Sequence, residues 1–209
     1  VESLSVLELG RLAVHPQLAD WLPGAERLDE LTKISASNPL EPDVPSWLNA
    51  GIKGRKWQQI QRFSAHLPDL PTGSKLVEWC AGKGHLGRLV SYHRDCAVCS
   101  LEWQVSLCEA GQITADKFAL PQTFVHADVL AGEGDACLAQ ADGAIALHAC
   151  GDLHGHLIRR AVQQGTPYLC VSPCCYHLTQ EERYQPFSQL AQQSLLSLRK
   201  AYLKLAVKE

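Results

Sequence analysis

From Lys75 onward the chain alternates short apolar runs with helix-like stretches, and no other feature of the sequence constrains the fold as tightly. The apolar runs cover residues 76–80, 97–102, 123–127, 143–148 and 168–172, each of strand length. Between them lie helical candidates at 85–94, 103–117 and 153–164; in the last, Leu153, Leu157 and Ala161 share one face. Strands that alternate with helices must run parallel and connect by right-handed crossovers, so the expected fold is α/β with a Rossmann-like sheet. A further helix is expected over 180–200. Only 202–207 then remain for another strand, so the sheet reads as lacking its last strands.

The part before this sheet reads differently. Val6, Leu9 and Ala13 recur at helical intervals, and residues 25–34 show a similar pattern. Three prolines within 35–46 mark an extended linker. Ser46 is placed to cap a helix over 47–67, which the stretch 68–74 ends. The expected organisation is a helical N-terminal region over 1–67 and a sheet domain over 68–209. At 209 residues, 46% hydrophobic and 20% charged, the chain has the material for one buried core plus an appendage. It holds no apolar run long enough to span a bilayer. Its first residues lack the basic segment and cleavage site of a secretory signal, so a cytoplasmic protein is expected. A net charge of −3 excludes a chain that is basic throughout but not a local basic face. Nine cysteines, an odd number, are expected to be reduced. The absence of methionine points to a piece of a longer chain.

Residues 78–87, Glu-Trp-Cys-Ala-Gly-Lys-Gly-His-Leu-Gly, close the first strand and open the first helix. Gly82 and Gly84 permit a sharp turn and a close ligand approach, and the helix start offers free N–H groups. Gly82-x-Gly84-x-x-Gly87 alone matches the dinucleotide fingerprint, with Glu102 about twenty residues on as the ribose-binding acid. A nicotinamide dinucleotide and S-adenosylmethionine (SAM) both fit that much. Glu78 separates them: SAM carries an ammonium and a sulfonium where a dinucleotide carries a pyrophosphate, so a carboxylate beside the loop, acting directly or through it, favours SAM.

Glu78-x-Cys80-x-Gly82-x-Gly84 resembles motif I of class I methyltransferases, with Cys80 in place of the first glycine. The resemblance implies that Asp128, just after the third strand, accepts a hydrogen bond from the adenine amino group. Glu78, Glu102 and Asp128 are then expected to line one crevice, joined by Cys80, Gly82, Gly84, Trp103, Val129 and His148 as the cofactor-binding set.

The ends of the fourth and fifth strands carry His148-Ala149-Cys150-Gly151-Asp152 and Ser172-Pro173-Cys174-Cys175-Tyr176-His177. Together with the glycine loop, these runs resemble a methyltransferase-domain family. It includes the methyltransferase-like domain of the glutathione S-transferase C-terminal domain-containing protein and, more distantly, the tRNA acceptor-stem 2′-O-methyltransferases. The resemblance covers residues 53–184 and takes in Arg55-Lys56-Trp57-Gln58-Gln59-Ile60. The tRNA enzymes have His-Glu after the basic pair where this chain has Gln58-Gln59. The family implies a SAM-dependent methyltransferase whose acceptor is RNA, a protein or a small molecule. A dinucleotide oxidoreductase and a catalytically silent SAM-binding module are the competing classes.

Methyl transfer is an in-line displacement helped most by alignment and desolvation. His148 and His177 are the candidate bases and Tyr176 a candidate positioning group, with Cys174 and Cys175 on the acceptor side. Lys53, Arg55, Lys56 and Arg62 could form a basic stripe that reads as a phosphate footprint for RNA. Cys150, Cys174, Cys175, His148 and His177 are ligand types that zinc favours. Adjacent cysteines do not easily take two vertices of one tetrahedron, so no metal is expected.

Overall fold

The computed structural model describes residues 43–204, all of which belong to one compact unit, Pro39–Glu209. The helices expected within 6–13 and 25–34, most of the linker, and the end of 202–207 lie outside the described residues. Five parallel strands form one sheet in the order β3-β2-β1-β4-β5: β1 (Lys75–Trp79), β2 (Ala97–Glu102), β3 (Gln122–His126), β4 (Gly143–Cys150) and β5 (Tyr168–Cys174). The helices are α1 (Gly54–Ala65), α2 (His85–Arg94), α3 (Val105–Lys117), the short α4 (Asp135–Ala139) and α5 (Asp152–Gln164). The strand order reverses between β1 and β4. Helices diverge to opposite faces there, and a crevice opens above the carboxyl ends of the strands.

The period of two along β1 sorts its side chains between two cores. Leu76 joins Leu86, Leu89, Val98 and Ile145 on one face, where Trp57, Ile60 and Phe63 of α1 complete the packing. Val77 and Trp79 join Leu101, Ala144, Leu138 and Leu157 on the other. β1, β2 and β4 are buried along most of their length and read as near-continuous apolar runs, while β3 and β5 at the sheet edges are largely exposed or half-buried; every strand falls within about two residues of its expected position.

Two helical expectations are corrected. The helix proposed over 47–67 begins only at Gly54, because the chain turns at Pro45–Leu48 (Leu48 N–H to Pro45 carbonyl, 3.0 Å) and again at Gly51, whose φ is +77°. Lys53, not Ser46, occupies the N-cap of α1. The helix that does form is a layer of the sheet domain, with its apolar face in the core it shares with β1. The helix proposed over 180–200 is replaced by two single turns, α6 (Gln189–Gln192) and α7 (Lys200–Leu203), at either end of a loop. Pro186 lacks a backbone donor and disfavours helix at Gln185. Antiparallel bonds from Tyr184 N–H to the Leu198 carbonyl and from Lys200 N–H to the Glu182 carbonyl, both 2.9 Å, fold the segment back on itself. Leu190, Leu195 and Leu196 are left exposed.

β4 runs two residues further than expected and carries an irregularity. Leu147 pairs with Ser172, but Ala149 pairs with Pro173, so His148 is an extra residue in the strand, held at φ +66°. Bulges of this kind re-aim side chains next to sites.

Candidate active site

A cavity of about 360 Å³ lies above β1, β2 and β3, with Cys80, Glu102, Trp103, Asp128 and Val129 on its walls and Leu153 closing it from α5. Five of the residues expected to bind the cofactor therefore meet in one crevice. Its size suits a nucleoside-sized ligand. The Glu102 carboxylate, 8% exposed, accepts the Gly82 N–H at 2.8 Å on one oxygen and the Gln104 N–H at 3.0 Å on the other. It thereby ties the glycine loop to the end of β2, and each oxygen keeps a lone pair for a ligand hydroxyl. Asp128 caps the 3₁₀ turn Val129–Ala131 through one oxygen, accepting from Leu130 N–H at 3.0 Å and Ala131 N–H at 3.3 Å. Trp103, 65% exposed, presents a broad apolar face at the rim.

Gly82 has φ +59°, and a Cβ there would meet nothing within 4 Å, so the loop backbone stands open to a ligand. Gly84 and Gly87 serve packing instead. A Cβ on Gly84 would strike the Phe124 ring and one on Gly87 the Glu78 carboxylate. Cys80, at the position of the family's first glycine, adopts φ +57° itself, a conformation that costs an L-residue about 1–2 kcal/mol. Burial, and then the Glu102 charge, push its thiol up to about 12, so it is a neutral wall of the cavity.

Glu78 is the correction here: it does not line the crevice. Two residues on from Leu76, it faces the α2 side of β1 and is 3% exposed. Its carboxylate accepts from Ser100 Oγ at 2.7 Å and from Gln122 Nε2 at 3.5 Å, beneath the glycine loop. Burial raises its pKa from 4.5 to about 7, against the opposing pull of the Ser100 hydroxyl, the Gly87 N–H and the charges of Lys56 and Arg88. Any influence on a ligand therefore passes through the loop.

His148 is exposed at the bulge, and its Nε2 lies 3.0 Å from Gln59 Oε1 on α1. With Gln59 accepting, Nε2 carries the proton and Nδ1 keeps its lone pair. Burial and then the Lys56 charge lower the imidazole pKa. Gln59 was visible in the sequence only as a departure from the tRNA enzymes' His-Glu; its role as a clamp needed the fold. His85 opens α2 within the glycine motif. Its Nδ1 is buried without a hydrogen-bond partner, and burial with Arg88, Lys56 and Lys83 lowers its pKa to about 4. Lys56 acts on Glu78, His85 and His148 alike, which places one cation of the expected basic stripe beside the loop. Lys53 and Arg55 sit at the exposed start of the same helix.

Tyr176 faces a second cavity, of about 370 Å³, with Asp152, His154 and Arg159 among its lining. Its ring meets His154 edge-on at 5.4 Å. His177 lines neither cavity, and its buried Nδ1 has no partner. The three residues expected to act in catalysis thus have three different surroundings. Gly151, between the two strand ends, has φ +52°, and a Cβ there would collide with the Leu178 carbonyl. Gly151→Ala is expected to lower stability by roughly 3 kcal/mol and Tm by about 10 °C, measurable by thermal melting. The expectation of no metal rested on adjacent cysteines diverging, and that premise fails: the sulfurs of Cys150, Cys174 and Cys175 lie within 4.8 Å of one another.

A parallel sheet ordered β3-β2-β1-β4-β5, with a glycine loop after β1 and acids at the ends of β2 and β3, is the class I methyltransferase arrangement. A family model described as "Methyltransferase domain" matches residues 55–182, and the chain belongs to that family. No curated protein matches significantly. Among solved structures, the chain is similar to geranyl diphosphate methyltransferase with geranyl diphosphate and sinefungin (15% identity, 56% of this chain and 42% of that one, TM-score 0.42). It is also similar to a SAM-dependent methyltransferase of Geobacter sulfurreducens with S-adenosyl-L-homocysteine (13% identity, 53% and 43%, TM-score 0.41). A third is a putative methyltransferase complexed with the Haloferax volcanii activator Trm112 (15% identity, 55% and 50%, TM-score 0.40). The chain aligns with half or less of each of these proteins' length. Among the described residues, no helix is long and apolar enough to cross a membrane.

Proposed function

We propose that this chain transfers the methyl group of SAM to a hydroxyl of an RNA acceptor. The observation that carries the cofactor assignment is the crevice in which the Glu102 carboxylate, hydrogen-bonded to the open Gly82 loop, faces Asp128 and Trp103. A pyrophosphate would meet two carboxylates there with no paired cation on the crevice wall, whereas a cationic adenosyl ligand is attracted. When bound, SAM supplies an electrophilic methyl group on a sulfonium. Glu102 orients the ribose hydroxyls, Asp128 receives the adenine amino group on the oxygen not used by its cap, and Trp103 covers the ring. Cys80 and Val129 complete the walls.

On the acceptor side, His148 is aimed by the bulge and by Gln59, and takes the acceptor's proton at Nδ1. Lys56, with Lys53 and Arg55 at the start of α1, supports a phosphate-binding approach to that imidazole. Cys174 ends β5, and Cys175, Tyr176 and His177 follow in the loop that borders this side. The glycine loop and the runs around His148 and Cys174 also support placement in the branch that includes the glutathione S-transferase C-terminal domain-containing protein and the tRNA acceptor-stem enzymes.

The test is release of S-adenosylhomocysteine from SAM by the full chain, with total cellular RNA or RNA-free lysate as acceptor. RNA is expected to stimulate turnover, with stimulation falling steeply as salt rises. His148→Ala is expected to lower kcat by about a hundredfold or more, with SAM affinity in calorimetry unchanged. Turnover only with the lysate, NAD(P)H binding in place of SAM, or full activity in His148→Ala would each defeat the reading.

A further inference from the structure

We propose that Cys150, Cys174 and Cys175 form a three-thiolate binding site for zinc at the carboxyl ends of β4 and β5, with a fourth position open to an exogenous ligand. Two backbone devices gather these thiols, and neither is needed for the sheet itself. The extra residue at His148 shifts the β4–β5 register by one, which brings Cys150 opposite Cys174; without it, Ala149 would hold that place. In an extended strand Cys174 and Cys175 would point to opposite faces. Cys175 instead adopts φ +48°, and the turn it starts is closed by the Leu178 N–H to the Cys175 carbonyl at 2.8 Å. Its sulfur thereby joins the other two within 4.8 Å, and the Cys150 and Cys174 sulfurs approach to 3.1 Å.

The surrounding loop is pinned independently of the thiols. Gly151 N–H donates to the Cys174 carbonyl at 3.2 Å, and Asp152 N–H to the Leu178 carbonyl at 3.3 Å. The Asp152 carboxylate holds Thr179 Oγ1 at 2.6 Å and Gln180 N–H at 2.7 Å. Zn–S bonds of about 2.3 Å place tetrahedral sulfurs about 3.8 Å apart, so separations of 3.1 Å to at most 4.8 Å need to change by no more than about 1 Å to close on an ion. A Cys150–Cys174 disulfide would use two of the three sulfurs and leave the strained Cys175 unexplained; three soft donors suit a d¹⁰ cation. All three residues are half-buried, so an ion can enter and one vertex can stay open. Binding converts three thiols to thiolates, releases three protons and involves no change of oxidation state.

The experiment uses the full chain under reductant, stripped with a chelator and titrated with zinc against a competing chromophoric chelator. One equivalent is expected to bind. Cobalt(II) in its place is expected to give a thiolate-to-metal charge-transfer band in the near ultraviolet. Cys150→Ser and Cys174→Ser are expected to weaken zinc by more than about a hundredfold, since even a change behind a ligand costs ten- to a hundredfold. Cys137→Ser, on α4 with its sulfur against Cys99 of β2, is expected to bind as the parent does. If the serine variants fail to fold, the stoichiometry and cobalt spectrum of the parent chain decide. No zinc uptake, a cobalt spectrum without the thiolate band, parental affinity in Cys174→Ser, or a Cys150–Cys174 disulfide that forms under reductant and loses two hydrogens by mass would each overturn the proposal. None of these readouts depends on methyl transfer.

Discussion

Replacing Glu102 by alanine is expected to abolish measurable SAM binding at micromolar ligand and to weaken affinity about a thousandfold. The side chain accepts the Gly82 and Gln104 N–H groups, which holds the glycine loop against the end of β2, and under the proposed function its remaining lone pairs receive the ribose hydroxyls. Hydrogen bonds to a charged group contribute about 1.5–3 kcal/mol each, so loss of both ribose contacts together with loop order costs roughly 4 kcal/mol, a factor near a thousand. Glu102→Gln separates these two roles. One amide oxygen can still accept, but the NH₂ group must face either the Gly82 or the Gln104 N–H, so an intermediate loss of about ten- to a hundredfold is expected. Calorimetry with SAM, beside thermal melts that report on the loop, measures both. Binding of Glu102→Ala within threefold of the parent chain would mean that the crevice is not where SAM binds.

The centre of the parallel sheet was legible because β1, β2 and β4 are buried along most of their length and cannot hide their composition. The 97–102 run is Ala-Val-Cys-Ser-Leu-Glu, and only its last residue, at the strand end, carries charge. The acids at strand ends were legible for a related reason, since a strand that ends above a sheet leaves its last side chains free for a ligand. The placement of Glu78 was also within reach of period-two counting, which puts it with Leu76 on the α2 face. A carboxylate in a glycine motif was instead assigned to the ligand. The failures elsewhere were matters of backbone conformation. Gly51 and Pro186 interrupt segments whose apolar spacing alone resembles helix. The left-handed residues His148 and Cys175 are not glycines, so nothing in the residue types announces the bulge and the turn that bring three thiols together. The Gln59–His148 bond joins residues 89 positions apart and needed the tertiary fold to be seen.

Glu78→Gln is expected to stabilise the fold in alkaline solution while leaving SAM affinity within about threefold. The carboxyl of Glu78 titrates at about 7 in the folded chain against 4.5 without the fold, burial being the dominant cause. The folded state therefore binds the proton more tightly than the unfolded state does. The stability this gives is complete below pH 4.5, declines as pH rises through that value to about 7, and is gone above it. The gap corresponds to roughly 3 kcal/mol. Glutamine retains an oxygen for Ser100 Oγ and never ionises. The two proteins should melt together near pH 4.5 and diverge above pH 7, with the variant higher by up to about 8 °C. Under the proposed function, an ionised Glu78 beneath the loop would add negative potential under a cationic ligand, a stability–function trade of a familiar kind. That contribution passes through the loop and is small beside direct contact, hence the modest change in affinity. Parallel melting curves across pH would show that Glu78 is not held in a desolvated site. A loss of SAM binding as deep as that of Glu102→Ala would place the carboxylate in contact with the ligand.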